Sequence, residues 1–230
     1  MSTSHPLPWD TAHAARRTAR AAFGIVRGSD LALGYGAVVV LTAVLLALLP
    51  DRQAHQAVLD TSTNLANLRS HPLVVLLASA FVVSSLPGLW LVPFLMLAYA
   101  AAQRWVGRVP VVVVALIGHV GATLFTAVLL VAGVTHGRLA ASVAHQPDVG
   151  VSYGLACVAG LLTARVPRRW KLPYGAVLVA FFVVPLLVRP TFTDVGHTVA
   201  LGTGFGLALL VFHTSLSGAP SSPGAAPGPV

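Results

Sequence analysis

Charge is scarce in this chain. Only 9% of its 230 residues are charged and 56% are hydrophobic, whereas an average soluble domain carries about 25% charged residues. A surface that must stay in water cannot be made from so few ions, so a soluble fold is excluded. Glutamate is missing altogether, the six acids being Asp10, Asp30, Asp51, Asp60, Asp148 and Asp194. Lysine is reduced to Lys171 beside thirteen arginines, a bias that points to a GC-rich coding genome and so to a bacterium. The single cysteine, Cys157, rules out an internal disulfide and, placed in an apolar run, reads as a small hydrophobe. The first 30 residues contain no continuous apolar core ending in a small-residue cleavage site, so no cleavable signal peptide is expected. The net charge of +8 would point to nucleic acid in a soluble chain. Here the cations fall in short segments between apolar runs, so they read as topology signals, and no nucleic-acid partner is expected.

What is abundant is apolar sequence in blocks. A hydrocarbon core about 30 Å thick takes roughly 20 residues per helical crossing. Runs at 31–49, 87–102, 110–133, 150–164, 173–188 and 195–213 provide six. Residues 72–102 carry no charge at all, and a straight helix of that length would reach about 45 Å, more than one bilayer core. The run must break, and Ser84-Ser85-Leu86-Pro87-Gly88 is the expected place, with Leu73–Val83 dipping into or lying along the membrane. The fold class read from this pattern is all-α: a polytopic membrane bundle of six helices whose fourth is short and central. Its lipid bilayer is its first partner.

The domains follow the same pattern. Residues 1–30 form an N-terminal segment in which Arg16, Arg17, Arg20 and Arg27 among alanines predict a basic amphipathic helix on the membrane surface. Residues 31–214 form the membrane domain, and 215–230 are expected to be a disordered tail. Within the polar stretch 51–72, Val58, Leu65 and Leu68 share one helical face. With six crossings and the N-terminus inside, the inner segments hold ten basic residues and the outer loops only Arg52, Arg69, Arg138 and Arg189. The excess of cations on one side places both termini in the cytoplasm and the bundle in the plasma membrane.

In that orientation the fourth and sixth spans begin at the outer face with one shared tripeptide, Asp148-Val149-Gly150 and Asp194-Val195-Gly196. Ser152 and His197 follow, each about one turn below the outer edge. Taken singly, a serine in a span usually bonds a carbonyl one turn back, and a histidine can serve packing alone. Side by side at one depth they have the makings of a nucleophile and its base. Such closeness needs small residues between the helices, and Gly150, Gly154 and Gly160 on one and Gly196, Ala200 and Gly204 on the other supply them. Asp148 and Asp194 read as helix caps. His119, roughly 20 Å deep by helical rise, is expected to bond inside the bundle to Thr123 or Thr126. Tyr153, adjacent to Ser152, is expected to point elsewhere. A metal site from His119, His145, His197, Asp148 and Asp194 has no tight ligand spacing behind it, so no metal and no cofactor are expected.

This arrangement resembles the rhomboid family of intramembrane serine proteases over about residues 31–213. The resemblance rests on Gly-Val-Ser at 150–152 with Gly160, on His197 followed by Ala200 and Gly204, and on the run at 71–81 leading into the second span. It implies Ser152 as nucleophile and His197 as general base without a third residue, Gly150 and Val151 as oxyanion or supporting positions, and transmembrane proteins as substrates or clients. Two departures stand beside it. Active rhomboids place a His and an Asn on the second span to hold the oxyanion, and LPGLWLVPF at 86–94 has neither. The aromatic that supports the histidine, one turn after the serine, is here Ala156. The resemblance therefore implies either a divergent protease or a protein of the same fold that binds membrane partners without cleaving them.

Overall fold

The computed structural model describes residues 28–83 and 86–217, and among them there are helices and turns but no strand. The expected basic helix of 1–30 and the tail lie largely outside the described residues. In chain order the helices are α1 (Asp30–Ala47), α2 (Asp51–Thr61), α3 (Leu65–Ser70), α4 (Pro72–Ser79), α5 (Val92–Val106), α6 (Arg108–Thr135), α7 (Val151–Leu162), α8 (Arg168–Phe182), α9 (Val184–Val188) and α10 (Phe192–Ser217). Two 3-10 turns, Leu86–Leu91 and Ala141–His145, stand ahead of α5 and α7. Among the described residues, four stretches are long and apolar enough to cross a membrane: Asp30–Ala47, Gly88–Val106, Arg108–Thr135 and Phe192–His213. Their outward faces expose side chains such as Leu41, Leu97, Val128 and Leu209, as an integral membrane protein must when lipid replaces water.

The uncharged run 72–102 is broken, as its length requires, but from residue 80, ahead of the expected Ser-Ser-Leu-Pro-Gly sequence. α4 ends at Ser79, residues 80–83 are not helical, and Leu86–Leu91 form a 3-10 turn. α4 shows Leu73, Val74 and Leu77 to the exterior while Val75 and Ser79 face inward. The polar stretch 51–72 holds two helices where one shared face was expected, because Asn64 interrupts it. Its side chain accepts from the Asn67 amide at 2.9 Å and caps α3.

Two boundaries differ from the sequence reading. Where a fifth span was expected at 173–188 there are two helices, α8 starting at Arg168 and α9 after Val183, the join lying where Pro185 removes an amide from the following turn. The tail expected from 215 is helical through Ser217. At the opposite end of the bundle, Asp30 pairs with Arg108 and accepts from Gln103, whose own side-chain oxygen accepts from the Leu31 amide at 3.1 Å. This cluster ties the start of α1 to the α5–α6 corner at Gly107, where φ is +87°.

α7 is the centre of the bundle. Eleven of its twelve residues are buried, and the exception is Ser152. A helix of twelve residues rises only about 18 Å, so it cannot satisfy lipid on its flanks and instead packs against α5, α6, α8 and α10. The approach to α10 is backbone on backbone: a Cβ on Gly160 would stand 2.9 Å from the Leu201 carbonyl oxygen and 3.0 Å from the Gly204 Cα. A Cβ on Gly204 would stand 2.2 Å from the Cys157 carbonyl oxygen. Gly154 faces the other way, toward Tyr99 and Ala115, so it packs α5 and α6 and not α10 as the sequence suggests.

Gly204→Ala is expected to lose about 1–3 kcal/mol of stability, since the neighbour is backbone and cannot move aside. Gly202→Ala, with nothing within 4 Å, is the control and should be neutral or slightly stabilising. Thermal unfolding of the two variants in one detergent distinguishes them.

Candidate active site

Ser152 is the second residue of α7 and His197 the sixth of α10. The parallel helices set them face to face, with His197 Nε2 2.8 Å from Ser152 Oγ. For the hydroxyl to donate, the imidazole must carry its proton on Nδ1 and leave Nε2 bare. Nδ1 has no hydrogen-bond partner among the described residues, so no third polar group turns the ring. Both side chains are half-buried, shielded yet reachable. Chemically this is an alcohol with a base in contact, the minimum for nucleophilic attack.

The ring of His197 is held by aromatic contacts instead. Tyr153 lies against it with centroids 5.2 Å apart at 75°, and Phe182 of α8 approaches to 5.5 Å. The expectation that Tyr153 points elsewhere is thus overturned. Neighbours on a helix do diverge by about 100°, but α10 sits in the angle between them, so Ser152 and Tyr153 flank the same imidazole. Gly196 makes this possible, because a Cβ there would stand 2.4 Å from the Tyr153 ring and hydroxyl. A tyrosine in an apolar span with an aspartate five residues earlier was the available signal.

Asp148 does not cap α7, contrary to the expectation from its position: the cap position is Gly150 and no side chain bonds it. Its carboxylate, in the loop ahead of α7 and 3% exposed, accepts from the Tyr153 hydroxyl at 2.8 Å and from Thr193 and Thr63 at 3.4 Å each. Burial dominates these bonds and pushes its pKa up to about 6. Asp194 does act at a helix start. Its carboxylate accepts from the Thr191 amide at 3.0 Å while the Thr191 hydroxyl accepts from the Asp194 amide at 3.3 Å, a reciprocal cap of α10.

The start of α7 is fixed by α4. The Gly150 amide donates to the Ser79 carbonyl at 2.9 Å, so it has no donor to spare for an oxyanion. The Val151 and Ser152 amides have no acceptor among the described residues, and these first-turn donors at the positive end of the helix dipole can meet developing negative charge. His119 does not bond Thr123 or Thr126. Its Nε2 donates to the Leu76 carbonyl at 2.9 Å and lies 3.3 Å from Ser79 Oγ. Thr126 bonds the Ala122 and Thr123 carbonyls. The depth reckoned by helical rise misleads because the loop ahead of α7 descends: a Cβ on Gly150 would be 2.0 Å from His119 Nδ1. No three His, Cys or Asp side chains among the described residues gather closely enough to hold a metal ion.

A carboxyl whose pKa lies above its ordinary value of 3.8 favours the folded state fully below that value and loses the benefit as pH rises through about 6. Asp148→Asn removes the buried charge and keeps an acceptor for Tyr153. It should raise stability by about 3 kcal/mol above pH 6 and by little below pH 4, as read from unfolding midpoints across that range.

A family model described as a rhomboid-like protein matches residues 26–216 of this chain. Comparison with curated proteins and with solved structures gave no match.

Proposed function

The chain belongs to the rhomboid-like family, and on that premise we propose that it is an intramembrane serine protease that cleaves transmembrane proteins with a Ser152–His197 dyad. One observation carries the reading: the 2.8 Å contact between Ser152 Oγ and His197 Nε2. In the proposed reaction His197 Nε2 takes the hydroxyl proton as Oγ attacks the substrate carbonyl. The proton then passes to the departing amine as the tetrahedral intermediate collapses to an acyl-enzyme. Water, deprotonated by the same nitrogen, releases the acid and restores the serine. The free amides of Val151 and Ser152 are the proposed oxyanion donors, with Gly150 limited to shaping the turn.

The six crossings are assigned to α1, α5 with its 3-10 lead, α6, α7, α8 and α10. Residues 31–214 are the membrane domain. Both flanking segments lie in the cytoplasm, and the site sits beneath the outer face of a bacterial plasma membrane. A cleft of about 680 Å³ between α5 and α8, lined by Trp90, Phe94, Leu97, Val177 and Phe181, is floored by Leu155 and Ala159 of α7. Its apolar walls suit a substrate helix arriving sideways from the lipid. A second reading, a bundle that binds membrane partners without cleaving them, draws on residues 86–94, which bring neither His nor Asn to the site. Loss of one such donor typically costs about 100- to 1000-fold in rate.

A fluorophosphonate probe should label the purified protein at Ser152, and His197→Ala should slow labelling by roughly 10⁴-fold or more. No labelling of the folded wild type would leave the partner-binding reading. The orientation is tested by fusions: alkaline phosphatase joined after Arg138 should be active and after Arg169 inactive, the reverse pattern refuting it.

A further inference from the structure

We propose that Tyr153 and Asp148 are positioning residues for His197, the carboxylate holding the tyrosine hydroxyl so that its ring forms the wall against which the imidazole is set. The inference rests on the protease reading for its catalytic consequence, while its geometric content stands apart. Among the described residues the His197 ring is hydrogen-bonded only through Nε2. Rotation about its side-chain bonds is therefore limited by packing, and the packing partners are Tyr153 and Phe182.

Of the two, Tyr153 is the one tied in place. It is fully buried, its ring occupies the space that a side chain at position 196 would need, and its hydroxyl is fixed to Asp148 Oδ1. Asp148 is itself clamped from two other elements. The Thr63 amide donates to its backbone carbonyl at 2.9 Å and the Thr63 hydroxyl to Oδ2 at 3.4 Å, while Thr193, in the first turn of α10, donates to Oδ1. The turn between α2 and α3, the loop ahead of α7, and the starts of α7 and α10 thus converge on one carboxylate. Because Tyr153 follows Ser152 on the same rigid helix, the wall and the nucleophile move as one body. The work done elsewhere by an aromatic one turn after the serine, where this chain has Ala156, falls to the next residue, braced from behind.

Three variants and two readouts test this. The position of the imidazole is read from the ¹⁵N resonances of His197, assigned by their loss in His197→Ala. The rate is read from the first-order step of fluorophosphonate labelling, separated from probe affinity by its concentration dependence. Wild type should show a single Nδ1-protonated His197. In Tyr153→Phe, which keeps the ring and removes the hydroxyl, and in Asp148→Ala, that signal should broaden or split. The labelling step should fall about 10- to 100-fold at unchanged probe affinity, the scale of a misplaced catalytic group. Asp148→Asn, which still accepts from Tyr153, should restore the signal and bring the rate within about threefold of wild type. A purely structural role would lower folded yield without that rescue. An unchanged His197 signal in folded Tyr153→Phe would overturn the proposal whatever the labelling shows. Absence of labelling in a wild type with the expected signal would instead overturn the protease reading and leave the positioning intact.

Discussion

Two helices touching backbone to backbone fix the geometry on which everything else depends. Gly160 of α7 meets Gly204 of α10 with no side chain between them. Ser152 lies eight residues before that contact and His197 seven, distances of about 12 and 10 Å along parallel axes. Nearly equal offsets from one crossing point bring the two side chains to one depth, and the glycine contact brings them within hydrogen-bond reach. In lipid there is no hydrophobic force to press helices together, so shape at such contacts decides the packing. A methyl group at either glycine would separate the helices and carry the hydroxyl away from the imidazole.

The start of α7 buries the Asp148 carboxylate, so the polar groups there must satisfy one another. Asp148 collects three hydroxyl donors and a backbone amide reaches its own carbonyl. A buried carboxylate is expensive, and hydroxyl donors offset only part of the desolvation. That residual cost is what pushes its pKa upward. The bond to Tyr153 links it to the wall of the proposed dyad.

α4 gives the site its second anchor. A helix leaves its last four carbonyls without partners, and two of these are claimed by the bundle: Leu76 by His119 of α6 and Ser79 by the Gly150 amide. One short segment between the first two long helices therefore sets both the depth of the loop ahead of α7 and the direction in which α7 begins. The orientation of the Val151 and Ser152 amides follows from it.

The division between sequence and tertiary structure follows the range of the forces involved. Local and compositional terms were legible along the chain. The apolar runs, the need for a break within 72–102, the short α7 with its small residues, and the contact of Ser152 with His197 beside matched glycines all rest on periodicity, helical rise and side-chain size. The Asp194 cap is likewise a neighbour effect. What the chain could not disclose were contacts made between distant segments. Asp148 has the position of a cap yet serves Tyr153, and Tyr153 leaves the helix about 100° from Ser152 yet reaches the same imidazole. His119 looks too deep to matter near Gly150 until α4 and the following loop are folded down onto it. Helical rise measures depth along one axis only. Where a loop descends, or where one helix lies in the angle between two side chains of another, only the assembled bundle decides which groups meet.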